Sequence, residues 1–123
     1  MFLDTNLLIE YLIGSPRGAR VKEVLAREPC SVSAFTAAEL VLWCLREGHD
    51  PALALQEARR VVDVVIPGET VFREGARITH ARKRQEKSFG LMDGLILAGA
   101  RDAGEALLTA DSGFRGMEGV EVV

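Results

Sequence analysis

Cysteine, histidine and long apolar runs are all scarce in this chain, and each scarcity narrows what it can be. The only cysteines, Cys30 and Cys44, sit in the apolar settings Pro29-Cys30-Ser31-Val32 and Leu42-Trp43-Cys44-Leu45. No Cys/His spacing matches a zinc site, so both read as small buried hydrophobes. His49 and His80 stand alone, without a partner at ligand spacing, which argues against a histidine metal site or acid–base pair. The apolar stretches are too short, and too often broken by charge, to span a membrane. The opening Met1-Phe2-Leu3-Asp4-Thr5-Asn6 lacks the basic-then-apolar pattern of a secretory leader, so a cytoplasmic location is expected. Positive charge is not in excess either. A formal net charge of −3 argues against coating nucleic acid by bulk charge, but leaves room for an enzyme with local basic patches.

What is present suits one globular domain over residues 1–123, with 48% hydrophobic and 27% charged residues. Short apolar runs alternate with helical patterns. Strands are expected at Met1–Leu3, Cys30–Ser33, Val61–Ile66, Ala106–Thr109 and Val120–Val123. Helices are expected over Asn6–Ile13, Arg17–Arg27, Thr36–Glu47, Asp50–Arg60, Val71–Lys87 and Met92–Ala103. Asp50-Pro51 is a strong start signal, an N-cap followed by proline at the first helical position. Alternating strands and helices imply parallel strands with right-handed crossovers, hence an α/β fold of three layers, α/β/α. Ligands in such folds lie beyond the carboxyl ends of the strands. Asp4 follows the first strand and Asp111 the fourth.

Four acids stand out: Asp4, Glu39, Asp93 and Asp111. Each has a local explanation. Asp4 can cap a helix, Glu39 can complete a capping box with Thr36, Asp93 suits a helix dipole, and Asp111 can form an Asx-turn before Ser112-Gly113. Their common setting argues for more. All four lie in apolar, small-residue segments, and the nearest cation in sequence is Arg115, four residues beyond Asp111. Acids in such surroundings need a partner. Two carboxylates 4 Å apart would repel by about 4 kcal/mol at an effective dielectric near 20, and a divalent cation is the natural compensation. Oxygen donors without Cys or His favour Mg²⁺ or Mn²⁺. An ion so held lowers the pKa of water and stabilises charge at phosphorus; attack by water would give a 5′-phosphate and a 3′-hydroxyl.

These segments resemble the PIN-domain ribonucleases, especially the toxin subunits of VapBC-type toxin–antitoxin pairs. Asp4-Thr5-Asn6 is similar to the family's opening, and Ser33–Leu40, with Glu39, to its second motif. Phe89-Gly90-Leu91-Met92-Asp93-Gly94-Leu95-Ile96-Leu97-Ala98 resembles the third, and Leu107-Leu108-Thr109-Ala110-Asp111-Ser112-Gly113-Phe114 the fourth. The resemblance implies a five-stranded parallel sheet in the order 3-2-1-4-5, with the four acids forming a metal site for endoribonuclease chemistry. It also implies supporting roles for Asn6, Thr109 and Ser112, a homodimer, and a small antitoxin whose tail enters the active-site groove. Many relatives carry a further acid two places after the fourth, where this chain has Gly113. The number of ions is therefore left open.

Arg82, Lys83, Arg84, Lys87 and Arg115 are candidate RNA contacts, set against the plainer reading of a solvated helix end. Trp43 reads as core or dimer surface rather than a base-stacking platform. Two other readings compete. A phosphotransfer domain of receiver or haloacid-dehalogenase type would want a second Asp where Asn6 stands, or a late Lys where none follows Lys87. A non-catalytic PIN-like binding module would not need all four acids.

Overall fold

The computed structural model describes every residue, 1–123. Its sheet contains β1 (Phe2–Leu3), β2 (Ser31–Ser33), β3 (Asp63–Val65), β4 (Leu107–Thr109) and β5 (Val120–Val122). The strand order is 3-2-1-4-5 and every neighbouring pair is parallel. Six helices complete the fold: α1 (Thr5–Leu12), α2 (Pro16–Arg27), α3 (Ala34–Glu47), α4 (Pro51–Arg59), α5 (Glu69–Arg82) and α6 (Leu91–Asp102).

The period of two along a strand divides the core between two faces. Leu3 and Leu108 pack with Leu7, Val21, Leu40 and Cys44, beneath α1 to α3. Phe2 and Leu107, one residue earlier in each strand, pack with Ile78, Phe89, Ile96 and Leu97, beneath α5 and α6. Both cysteines are buried and free, as expected. The α5–α6 layer depends on two glycines. A Cβ on Gly94 would lie 2.0 Å from Thr79 Oγ1 and 2.4 Å from the Gly75 carbonyl oxygen. One on Gly75 would lie 2.8 Å from Leu95 Cα, so the two helix backbones touch. That contact holds the first turn of α6 against α5.

Local chemistry accounts for the element ends and for the departures from expectation. Asp50 caps α4 by accepting from the Ala52 and Leu53 amides, with Pro51 at the first position. Helix α3 begins at Ala34, earlier than Thr36, because Ser33 accepts from the Phe35 amide and caps it. The Thr36–Glu39 capping box is therefore not formed, and Glu39 sits in the second turn. Asp4 caps α1 by accepting from the Thr5 amide. Val61 and Val62 complete the turn after α4 through bonds to the Ala58 carbonyl, shortening β3. Helix α5 stops at Arg82, and Lys83, Arg84 and Lys87 lie beyond it. No helix is long and apolar enough to cross a membrane.

Candidate metal centre

Sheet order alone brings the first and last acids together. Strand β1 lies between β2 and β4, so the connections leaving its carboxyl end diverge there, at the switch point where α/β sheets bind ligands. Phe2 pairs with Leu107 and Leu3 with Leu108. One step further, Asp4 stands beside Thr109, and the Thr109 hydroxyl donates to Asp4 Oδ2 at 2.7 Å. The same hydroxyl oxygen accepts from the Asp111 amide at 3.0 Å. A single threonine thus ties the two acid-bearing loops together.

Asp4 has its other oxygen on the Thr5 amide at 2.8 Å and is only 5% exposed. Burial pushes its carboxyl up to about 6, the Thr109 and Thr5 hydrogen bonds oppose the rise, and the charges of Asp93 and Glu39 add to it. Asp93, in the first turn of α6, accepts from the Gly90 amide at 2.8 Å through Oδ2. Its carboxyl is also raised, by burial against the lowering effect of that amide, with Asp111 adding to the rise. Glu39 accepts from the Thr5 hydroxyl. Since that proton is committed, the contact between the Thr5 and Thr36 hydroxyls at 3.0 Å must be a bond donated by Thr36. Asp111 Oδ1 accepts from the Gly113 amide at 2.8 Å, the Asx-turn that the sequence suggested.

The local roles and the shared site are therefore compatible. Asp93 Oδ1, Asp111 Oδ2 and Glu39 Oε2 accept no hydrogen bond from the chain, and none of the four acids joins an ion pair. The influence of Glu39 and Asp93 on Asp4, and of Asp111 on Asp93, places all four in one electrostatic neighbourhood. A ready-made cage is absent: no three of these side chains, as they stand, converge tightly enough to enclose an ion. The donor set nonetheless fits Mg²⁺ or Mn²⁺. Mg²⁺ typically takes one or two carboxylates and completes its shell with water and substrate phosphate.

The basic residues divide into two groups. Arg82 donates to the Gly113 carbonyl at 3.1 and 2.9 Å and to the Arg115 carbonyl at 2.8 Å. It also donates to Gln85. These bonds clamp the loop after β4 onto the end of α5, so Arg82 is a structural tether rather than a free phosphate contact. Lys83, Arg84, Lys87 and Arg115 are exposed and form no ion pair. Asn6 and Ser112 are exposed and border a cleft that also reaches Asp111.

One acid escaped the sequence reading. The Glu86 γ-carbon lies 3.5 Å from where a Cβ on Gly113 would sit, and Asp111 Oδ1 lies 3.1 Å from the same point. Glu86 therefore borders the space left by the missing side chain, with the Ser88 hydroxyl donating to its Oε1 at 2.9 Å. Only the return of the α5–α6 connection past the β4 loop brings it there, which no local motif signals.

Three solved structures show the same fold. A toxin–antitoxin complex from Klebsiella pneumoniae aligns with a TM-score of 0.76 and 22% identity, over 98% of this chain and 95% of that one. VapBC2 from Rickettsia felis, bound to a DNA fragment from its promoter, aligns at 0.74 and 15%, over 99% and 96%. VapBC-1 from nontypeable Haemophilus influenzae aligns at 0.66 and 23%, over 89% and 85%. No curated protein matches the sequence. The PIN domain family model does match, over residues 1–120 and so across all four acidic segments, and the chain belongs to the PIN domain family.

Proposed function

We propose that this protein is a divalent-metal-dependent endoribonuclease, the toxin of a toxin–antitoxin pair, acting in the cytoplasm. What supports the reading is that Thr109 ties Asp4 to the Asp111 loop at the sheet switch point, that the charges of Glu39 and Asp93 bear on Asp4, and that no cation of the chain pairs with any of the four acids.

Asp4, Asp93 and Asp111, with Glu39 beside them, would hold Mg²⁺ or Mn²⁺. Such an ion supplies Lewis-acid stabilisation of charge at the phosphoryl group and activates water for attack. Thr109 fixes Asp4 and the start of the Asp111 loop, Thr5 orients Glu39, and Gly90 orients Asp93. The uncommitted oxygens of Glu39 and Asp111 are suited to accept a proton from an attacking water or to orient it. Lys83, Arg84, Lys87 and Arg115 offer positive charge along a path for the RNA backbone.

The partners are an RNA substrate, a second copy of the chain and a small antitoxin. The solved neighbours, a toxin–antitoxin complex and two VapBC assemblies, support the antitoxin assignment. The test is cleavage of single-stranded RNA. Chelator should abolish it, Mg²⁺ or Mn²⁺ should restore it, and the products should carry 5′-phosphate and 3′-hydroxyl ends. Full activity of Asp93→Asn would refute the assignment, and RNA binding without any cleavage would favour a non-catalytic module.

A further inference from the structure

A cleft of about 510 Å³ opens beside Asp111, between α1, the start of α2, α3 and the loop after β4. Its lining differs from the acidic site. Asn6 presents the chain's only asparagine amide, exposed and without a side-chain hydrogen bond to the protein. Arg17 is exposed and unpaired. Ser112 adds a hydroxyl, and Trp43, the only tryptophan, forms part of the wall. The carboxylate of Glu10, the other acid bordering the cleft, accepts from the Ser15 hydroxyl. His49 stacks on the indole, with ring centroids 4.9 Å apart and planes 7° from parallel. His49 borders the neighbouring cleft and not this one, whereas Trp43 borders both, so the stack covers one indole face without filling this cleft.

We infer that this cleft is a nucleotide subsite, holding one unstacked base of a single-stranded RNA next to the phosphate presented to the acids. The inference rests on the nuclease reading above. Its chemistry is that of single-strand recognition. An aromatic surface stacks on a base, an amide that both donates and accepts can meet a base edge, and a guanidinium can meet a flanking phosphate. The volume lies within the range of ligand pockets. Trp43 is therefore more than the core or dimer residue its helical spacing suggested.

Because Trp43 is the only tryptophan, its fluorescence reports occupancy directly. A single-stranded mixed-sequence hexaribonucleotide, titrated into the intact protein with chelator present, should change Trp43 emission saturably. In the cleavage assay, Arg17→Ala and Trp43→Leu should each raise KM about tenfold with little change in kcat, while Trp43→Phe should restore KM to within about threefold. Arg17 is exposed, so its variant tests the idea even where Trp43→Leu folds poorly. RNA that is cut with no Trp43 response and unchanged KM in Arg17→Ala would overturn the subsite and leave the nuclease reading intact. RNA that shifts Trp43 without being cut would keep the subsite and refute the nuclease. A Trp43 response to a purified antitoxin but not to RNA would reassign the cleft to a protein partner and overturn the inference.

Discussion

Replacing Asp4 with Asn should stabilise the metal-free protein at neutral pH and leave it unchanged in acid. Asp4 is almost wholly buried, and its carboxyl titrates near 6 instead of the usual 3.8. Between those values the folded chain holds a proton that the unfolded chain has released, so stability falls as pH rises through the window. The difference of about two pH units corresponds to about 3 kcal/mol, present below pH 4 and lost above pH 6. Asn removes the charge while preserving shape. Its oxygen can accept from the Thr5 amide and its NH₂ can donate to Thr109 Oγ1. The reversed Thr109 bond offsets part of the benefit, leaving a gain of about 1–3 kcal/mol at pH 7.5.

Urea unfolding of both proteins in chelator, from pH 4 to pH 7.5, follows this effect together with the response of the coupled Asp93 and Glu39, since the remaining carboxyls titrate alike in both. The midpoint difference should be near zero at pH 4 and grow to about 1 M at pH 7.5, taking an m-value of about 2 kcal/mol per molar. Saturating Mn²⁺ should stabilise the wild type and have little effect on Asp4→Asn. A midpoint difference that stays flat across this range would refute the argument that Asp4 is a buried, uncompensated charge.

Other predictions follow from the same geometry. Gly94→Ala forces a methyl group against Thr79 and the Gly75 carbonyl, and should lower stability by about 1–3 kcal/mol or more in chemical denaturation. Arg82→Ala removes the tether on the Gly113 and Arg115 carbonyls, and amide exchange around residues 111–115 should accelerate about tenfold while exchange in β1 stays unchanged. Glu86→Gln should weaken Mn²⁺ binding by several-fold in calorimetry with little change in thermal stability, since Glu86 borders Asp111 but packs into neither apolar cluster.

Much of the fold was legible because the sequence carries redundant signals. Asp50-Pro51 marks a helix start, and the apolar runs at Phe2-Leu3 and Leu107-Leu108 fit strands buried on both faces of the sheet. The four acids stand out in the sequence because each interrupts an apolar segment. What stayed hidden depends on contacts between elements distant in sequence. Ser33 and Thr36 are both plausible caps, and the end of β2 decides in favour of Ser33. The basic run from Arg82 to Lys87 reads as uniform, yet only Arg82 meets the carbonyls of the β4 loop. Glu86 and the Trp43 cleft leave no periodic or motif trace, because each is assembled from segments far apart in the chain.

The most direct test of the account is anomalous diffraction from crystals soaked in Mn²⁺ at neutral pH. A peak within about 2–2.5 Å of oxygens from at least two of Asp4, Asp93 and Asp111 is the predicted result. An empty switch point, with manganese bound elsewhere or not at all, would contradict it.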